Sequence, residues 1–107
     1  MQECFDGLEG VSPEMLRRLA DVLRTLAHPA RLRMLACMEH HGPTAVRELA
    51  GRVGVSQSTA SQHLNLLRRL QLIDSERHGR RVCYSVADGR VLAILACLRE
   101  QAQHYSD

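Results

Sequence analysis

The stretch Thr44 to Leu70, TAVRELAGRVGVSQSTASQHLNLLRRL, reads as two short helices joined by a tight turn at Val53-Gly54-Val55. In the second helix Ala60, Leu64, Leu67 and Leu70 recur at helical spacing and mark the inward side. That leaves Gln57, Ser58, Ser61, Gln62 and Asn65 on the outer face, Thr59 on its flank, and Arg68 and Arg69 further along. Amides and hydroxyls on one exposed helix face can read base edges, while guanidinium groups close by hold phosphates. The stretch therefore points to the edge of a DNA groove; a merely solvated helix face is the plainer alternative.

Working outward, Ser56 caps the second helix of this pair, and the first covers roughly Thr44 to Arg52, with Val46, Leu49, Ala50 and Val53 inward. After Leu70 the period changes. Residues 72–77, the tip His78-Gly79-Arg80 and residues 81–86 read as a β-hairpin in which Val82, Tyr84 and Val86 alternate with polar or small neighbours. Toward the N-terminus, Ser12-Pro13-Glu14 starts a helix: a capping hydroxyl, proline at the first helical position and an acid at the positive dipole end. Its apolar stripe is Leu16, Leu19, Ala20, Leu23 and Leu26. Pro29 begins another helix with Leu32, Leu35 and Ala36 inward, stopped at His41-Gly42-Pro43, and residues 1–11 read as loosely ordered. Asp88 caps a last helix to about His104, whose centre, VLAILACL, is apolar all the way round. A terminal helix of a small domain buries one side against its own core, so the other side calls for a second subunit.

The whole chain sets the bounds. At 107 residues it is expected to be one domain, and with 3% aromatic content its core must come from Leu, Val, Ala and Met. Net charge is only +2, yet residues 44–86 hold Arg47, Arg52, Arg68, Arg69, Arg77, Arg80 and Arg81 against Glu48, Asp74 and Glu76. One half is basic, as a nucleic-acid face requires. Every cation is an arginine, with no lysine, so each is a planar donor able to grip phosphate with two N–H groups. The acidic N-terminus carries no apolar signal segment, and the eight-residue run Val91–Leu98 is too short to span a bilayer, so a cytoplasmic location is expected. Cys4, Cys37, Cys83 and Cys97 form no short-spaced pair, and such a compartment would keep them reduced.

The order helix, helix, helix–turn–helix, hairpin, helix is that of a winged helix–turn–helix: mainly α with a small β-hairpin (α-α-α-α-β-β-α). Three segments, Leu26-Ala27-His28-Pro29-Ala30-Arg31-Leu32-Arg33-Met34-Leu35, then Leu49-Ala50 to Leu67 with SQSTASQHLNLL, then Arg77-His78-Gly79-Arg80-Arg81-Val82-Cys83-Tyr84, resemble the ArsR/SmtB family of bacterial repressors. The resemblance implies a homodimer joined through its first and last helices. It also implies binding to a palindromic operator and release by an inducer, often a metal ion. The sensing motifs depart from the family. Where one family site has Cys-x-Cys, this chain has Ala45 and Arg47. At another, Asp88, Arg90, Gln101 and His104 offer only two potential ligands, so neither standard metal site is expected. Of the two positions some members use to sense persulfides or oxidants, Cys37 falls one residue from the one in the second helix, and Cys97 lies well before the one late in the last helix, a poor match.

Residue by residue, the candidate DNA contacts are Gln57, Ser58, Thr59, Ser61, Gln62 and Arg68 on the helix and Arg77, Arg80 and Arg81 on the wing, weighed against ordinary surface polarity. His63, next to the inward Leu64, reads as a structural or phosphate-facing histidine. His40 and His41 suit a helix C-terminus, with divalent-ion binding beside Cys37 as the sharper alternative. Capture of a soft metal or metalloid by some set of Cys4, Cys37 and Cys97, redox sensing by a thiol, and no thiol sensing at all stay open at this point. An enzyme is not expected, because there is no Cys-x-x-Cys pair, glycine-rich phosphate loop or nucleophile elbow. The rival to an operator-binding repressor is a winged-helix module for protein–protein contact. That module would not require a polar helix face together with an arginine wing.

Overall fold

The computed structural model describes residues 6–105. Its first helix, α1 (Pro13–Leu26), begins as its local chemistry dictates: Ser12 Oγ accepts a hydrogen bond of 3.1 Å from the Met15 N–H, with Pro13 in the first turn. Only Val22 and Leu26 are buried in it. The apolar stripe of this helix is thus only partly covered: Leu16 and Leu23 are exposed, with nothing among the described residues of one copy over that side.

The second helix, α2 (Pro29–His41), runs through the middle of the core. Its fully buried residues are Met34, Leu35 and Met38, while the expected Leu32 and Ala36 are half-buried at the margin. Gly42 closes it at φ 79°, its N–H returning to the Met38 carbonyl. Pro43 then holds the chain extended, and Thr44 and Ala45 form a two-residue strand, β1. This corrects the expected start of the next helix, α3, which covers Val46–Val53. Gly54 ends α3 in the left-handed conformation at φ 80° and ψ 35°. Ser56 then caps α4 (Gln57–Arg69), its Oγ accepting from the Thr59 N–H at 3.0 Å.

Two antiparallel strands follow, β2 (Ile73–His78) and β3 (Arg81–Val86). Between His78 and Arg81 the chain reverses in two residues, with Gly79 supplying the positive φ of 67° that the tight hairpin needs. The wing is not a bare hairpin. Thr44 pairs with Tyr84 and Ala45 with Cys83, making a three-stranded sheet in the order β1-β3-β2. Of the alternating Val82, Tyr84 and Val86, Val82 is exposed near the tip; burial on β3 begins only at Cys83. The last helix, α5 (Gly89–Tyr105), starts where Asp88 accepts from the Arg90 N–H at 2.8 Å. It buries Val91 and Leu95 and leaves Leu92 and Leu98 exposed. Among the described residues, no helix is long and apolar enough to cross a membrane.

Two arginines of α2 fasten the helix–turn–helix to this core. Arg33 donates to the Val53 and Arg52 carbonyls at 3.2 and 3.3 Å, satisfying the otherwise open end of α3. Arg31 donates through Nη1 to the Thr25 carbonyl of α1 at 2.9 Å and through Nε to His63 Nδ1 of α4 at 3.1 Å. His63 is buried, and the His28 ring stands edge-on to it with centroids 4.7 Å apart. Because Nδ1 accepts, the His63 proton resides on Nε2. Burial first, then the neighbouring Arg31 and His28, pushes this imidazole below its ordinary 6.5.

Two consequences are measurable. A Cβ would meet no atom within 4 Å at either Gly51 or Gly54, but only Gly54 has positive φ. Gly54→Ala should therefore lose about 1 kcal/mol to backbone strain, while Gly51→Ala, within α3, should gain about 0.5–1 kcal/mol. Urea melts of the two variants showing the reverse order would contradict this local geometry. For His63, the unfolded chain takes up the proton more readily than the folded one. Its stabilising contribution is thus intact above the ordinary 6.5 and is lost as pH falls below it. Lowering pH from about 7.5 to about 5 should shift the urea midpoint of the wild type further than that of His63→Gln, which has no proton to take up there. Equal shifts would remove His63 from the acid response.

Candidate nucleic-acid interface

The polar face of α4 exists because its other side is fully committed. Ala60, Leu64 and Leu67 are completely buried, and Leu70 is half-buried just beyond the helix. With those positions fixed, helical spacing puts Gln57, Ser58, Ser61, Gln62 and Asn65 outward, and all five are exposed. Among the described residues, none of their side chains is held by another group, so their donors and acceptors are free for a partner. Thr59 differs. It is half-buried, and its Oγ1 accepts from the Ser56 hydroxyl at 3.0 Å, so it works within the helix cap.

Arg68 and Arg69 continue the outer face through the last turn and are exposed. Arg68 borders a shallow depression shared with Gln71, Asp74 and Ser75, where the chain turns into β2. Gln71 makes that turn with a φ of 60°, an uncommon conformation for a residue with a side chain. On the wing, Arg77, Arg80 and Arg81 are exposed, and none meets a carboxylate among the described residues. His78 Nε2 lies 3.0 Å from Glu76 Oε2, two positions back on the same strand, which leaves the three guanidinium groups without that carboxylate. The structure thus gathers the nine predicted contacts onto α4 and the adjoining wing, with Thr59 the one whose hydroxyl is already engaged.

The sensing candidates are not gathered in the same way. Cys4 lies outside the described residues. Cys37 is half-buried on α2, and burial raises its thiol above the ordinary range, with Arg52 opposing and Glu48 reinforcing the shift. It is thus a protonated, weakly nucleophilic thiol at neutral pH. Cys97, expected within an all-round apolar helix centre, is exposed on α5. His40 and His41 stand edge-on with centroids 4.7 Å apart and share a surface groove with Cys37. Among the described residues, no three of His, Cys, Asp and Glu come together as a metal-ligand group. Asp88 is engaged by Arg90, whose Nη2 and Nε lie 2.5 and 2.9 Å from its oxygens, and this contact holds the carboxyl below its usual range.

Sequence reasoning did not find the Arg31–His63 bond behind α4. The partners lie 32 residues apart, and no spacing rule connects them. It also used Arg47 only in the charge balance of the basic half and as a replacement for a family cysteine, although the first-turn placement of a cation against the helix dipole was a visible signal.

Known proteins share this arrangement. A helix-turn-helix domain model matches residues 26–76. The biofilm growth-associated repressor of Agrobacterium fabrum is 37% identical over 89 residues, spanning 80% of this chain and 75% of that protein. A transcriptional repressor SmtB homolog from Synechocystis is 33% identical over 99 residues, spanning 92% of this chain and 72% of its own. The solution structure of a homodimeric winged helix-turn-helix DNA-binding domain from Mycobacterium bovis, described as a possible ArsR-family transcriptional regulator, superposes with a TM-score of 0.75. That match has 29% identity and covers 92% of this chain and 93% of the other. With the polar α4 face, the arginine wing and these relatives in agreement, the chain belongs to the ArsR/SmtB family of winged helix–turn–helix transcriptional regulators.

Proposed function

We propose that the protein is a cytoplasmic transcriptional repressor that binds a palindromic operator as a homodimer and lets go when an inducer binds. The observation that carries this reading is the unengaged polar face of α4 beside a wing whose Arg77, Arg80 and Arg81 meet no carboxylate among the described residues. In the complex, Gln57, Ser58, Ser61 and Gln62 meet base edges in the major groove, while Arg68, Arg77, Arg80 and Arg81 hold the flanking backbone. The role is binding, not catalysis.

Dimerisation through α1 and α5 is supported by the side chains those helices leave bare. Met15, Leu16 and Leu23 on α1 and Leu92 and Leu98 on α5 are all exposed in the single chain, Leu23 at 56%. Covering such apolar area with a second copy is the common two-fold solution. Two-fold symmetry then sets the operator half-sites about one helical turn, or a multiple of it, apart. An inducer acts by preferring one dimer geometry over the other. Its chemistry is left to a soft metal or metalloid or a thiol-reactive species. Access favours exposed Cys97 over half-buried Cys37 as the first thiol to react.

The direct test is selection of a duplex from a random library by the purified protein, followed by binding titrations at several salt concentrations. Gln62→Ala should weaken the selected duplex by about 1–3 kcal/mol while leaving random duplex unchanged, because it removes a base reader. Arg80→Ala should instead weaken both duplexes and flatten the salt dependence by about one unit per subunit bound. A protein that selects no duplex would leave the protein-contact module as the better reading.

A further inference from the structure

We propose that the groove between the first turn of α3 and the wing seats a second stretch of DNA backbone, with Arg47 as its phosphate ligand. This rests on the operator-binding reading above and extends the interface to a helix outside the reading face of α4.

The placement follows from the sheet. Ala45 pairs with Cys83 in an antiparallel register, so the chain leaving β1 toward Arg47 runs beside the β3 residues that precede Cys83, Val82 and Arg81. Arg47, Arg80 and Arg81 consequently line one open groove of about 790 Å³, over a floor that includes Val46, Val82 and Tyr84. Three cations over a partly apolar floor match a sugar–phosphate backbone, which presents anionic oxygens along its rim and deoxyribose faces between them.

The charge pattern points the same way. Arg18, Arg24, Arg52, Arg90 and Arg99 each face a carboxylate, and Arg31 and Arg33 donate to groups of the core. Among the described residues, Arg47, Arg80 and Arg81 do neither. Glu48, the adjacent acid, is turned to Arg52 at 3.3 Å, i to i+4 along the helix. Arg47 also sits in the first turn of α3, where the backbone N–H groups already make the helix end positive. Two guanidinium groups across a groove and a helix dipole beneath all oppose it, and no group among the described residues pairs with it. An external anion resolves all of these repulsions at once.

The test is Arg47→Gln in the full chain, titrated against the duplex that the wild type selects, over a series of salt concentrations and alongside a thermal melt. Losing one phosphate contact should flatten the slope of log affinity against log salt by about one unit per subunit. Because Arg47 opposes the dipole, the melting temperature should hold or rise. Arg47→Lys should restore most of the slope. Arg17→Gln, an equally unpaired and exposed arginine on α1, should leave the slope untouched. A wild-type slope in Arg47→Gln overturns this inference while the operator-binding reading stands. A lowered melting temperature with unchanged slope overturns it too, by making Arg47 structural. A wild type that selects no duplex overturns both.

Discussion

The burial of one side of α4 is the constraint from which the recognition surface follows. Ala60, Leu64 and Leu67 are completely enclosed by the core that α2 and α3 build. Turning the helix by one residue, about 100°, would bring leucines to water and draw amides inward. Each leucine so exposed costs about 1.5–3 kcal/mol, before the unsatisfied amides are counted. The orientation of the outer face is thus set by residues that never meet a partner, which leaves the outer residues free to answer only to what they bind. Arg31 adds what apolar packing cannot. Its bonds to Thr25 and His63 are directional and fix α4 along its axis as well as around it.

What was legible in the chain was whatever is written locally. Gly54, Ser56 and the spacing of Ala60, Leu64 and Leu67 announce the turn and the second helix, and Gly79 announces the wing tip, because each signal lies within a few residues of its effect. Strand β1 left no such mark: two residues cannot show a period, and their partners lie about forty positions on. The α1 stripe shows a further limit. Periodicity identifies which side of a helix is apolar but not what covers it, and a single copy leaves Leu16 and Leu23 of that stripe bare. The same limit applies to Cys97. Thr59 was placed on the flank of the reading face correctly, but its hydroxyl was claimed by the cap that Ser56 builds. The candidate DNA contacts were legible as a set because they share one helix face and one hairpin. Their assignment to bases or phosphates rests on the chemistry of each side chain.

The arginines divide into two populations. Those on α1 and α5 and at the end of α3 are largely neutralised by carboxylates three to four positions away or on a neighbouring helix, and such exposed pairs add little stability. Those on the wing and the last turn of α4 have no such partners among the described residues. A modest net charge therefore hides a concentrated field, since only Asp74 and Glu76 among the acids lie on the wing strands. Salt screens such a field over a distance of about 10 Å at 0.1 M.

The small strand formed by Thr44 and Ala45 has a mechanical consequence. Through its pairing with Tyr84 and Cys83, β3 is joined to the residues that open α3, and α3 is joined in turn to α2 by Arg33. The hairpin cannot tilt on its own. A load applied at the wing would therefore be passed through two residues of backbone into the helical body. The two-residue splice thus ties the position of the hairpin to that of the helices.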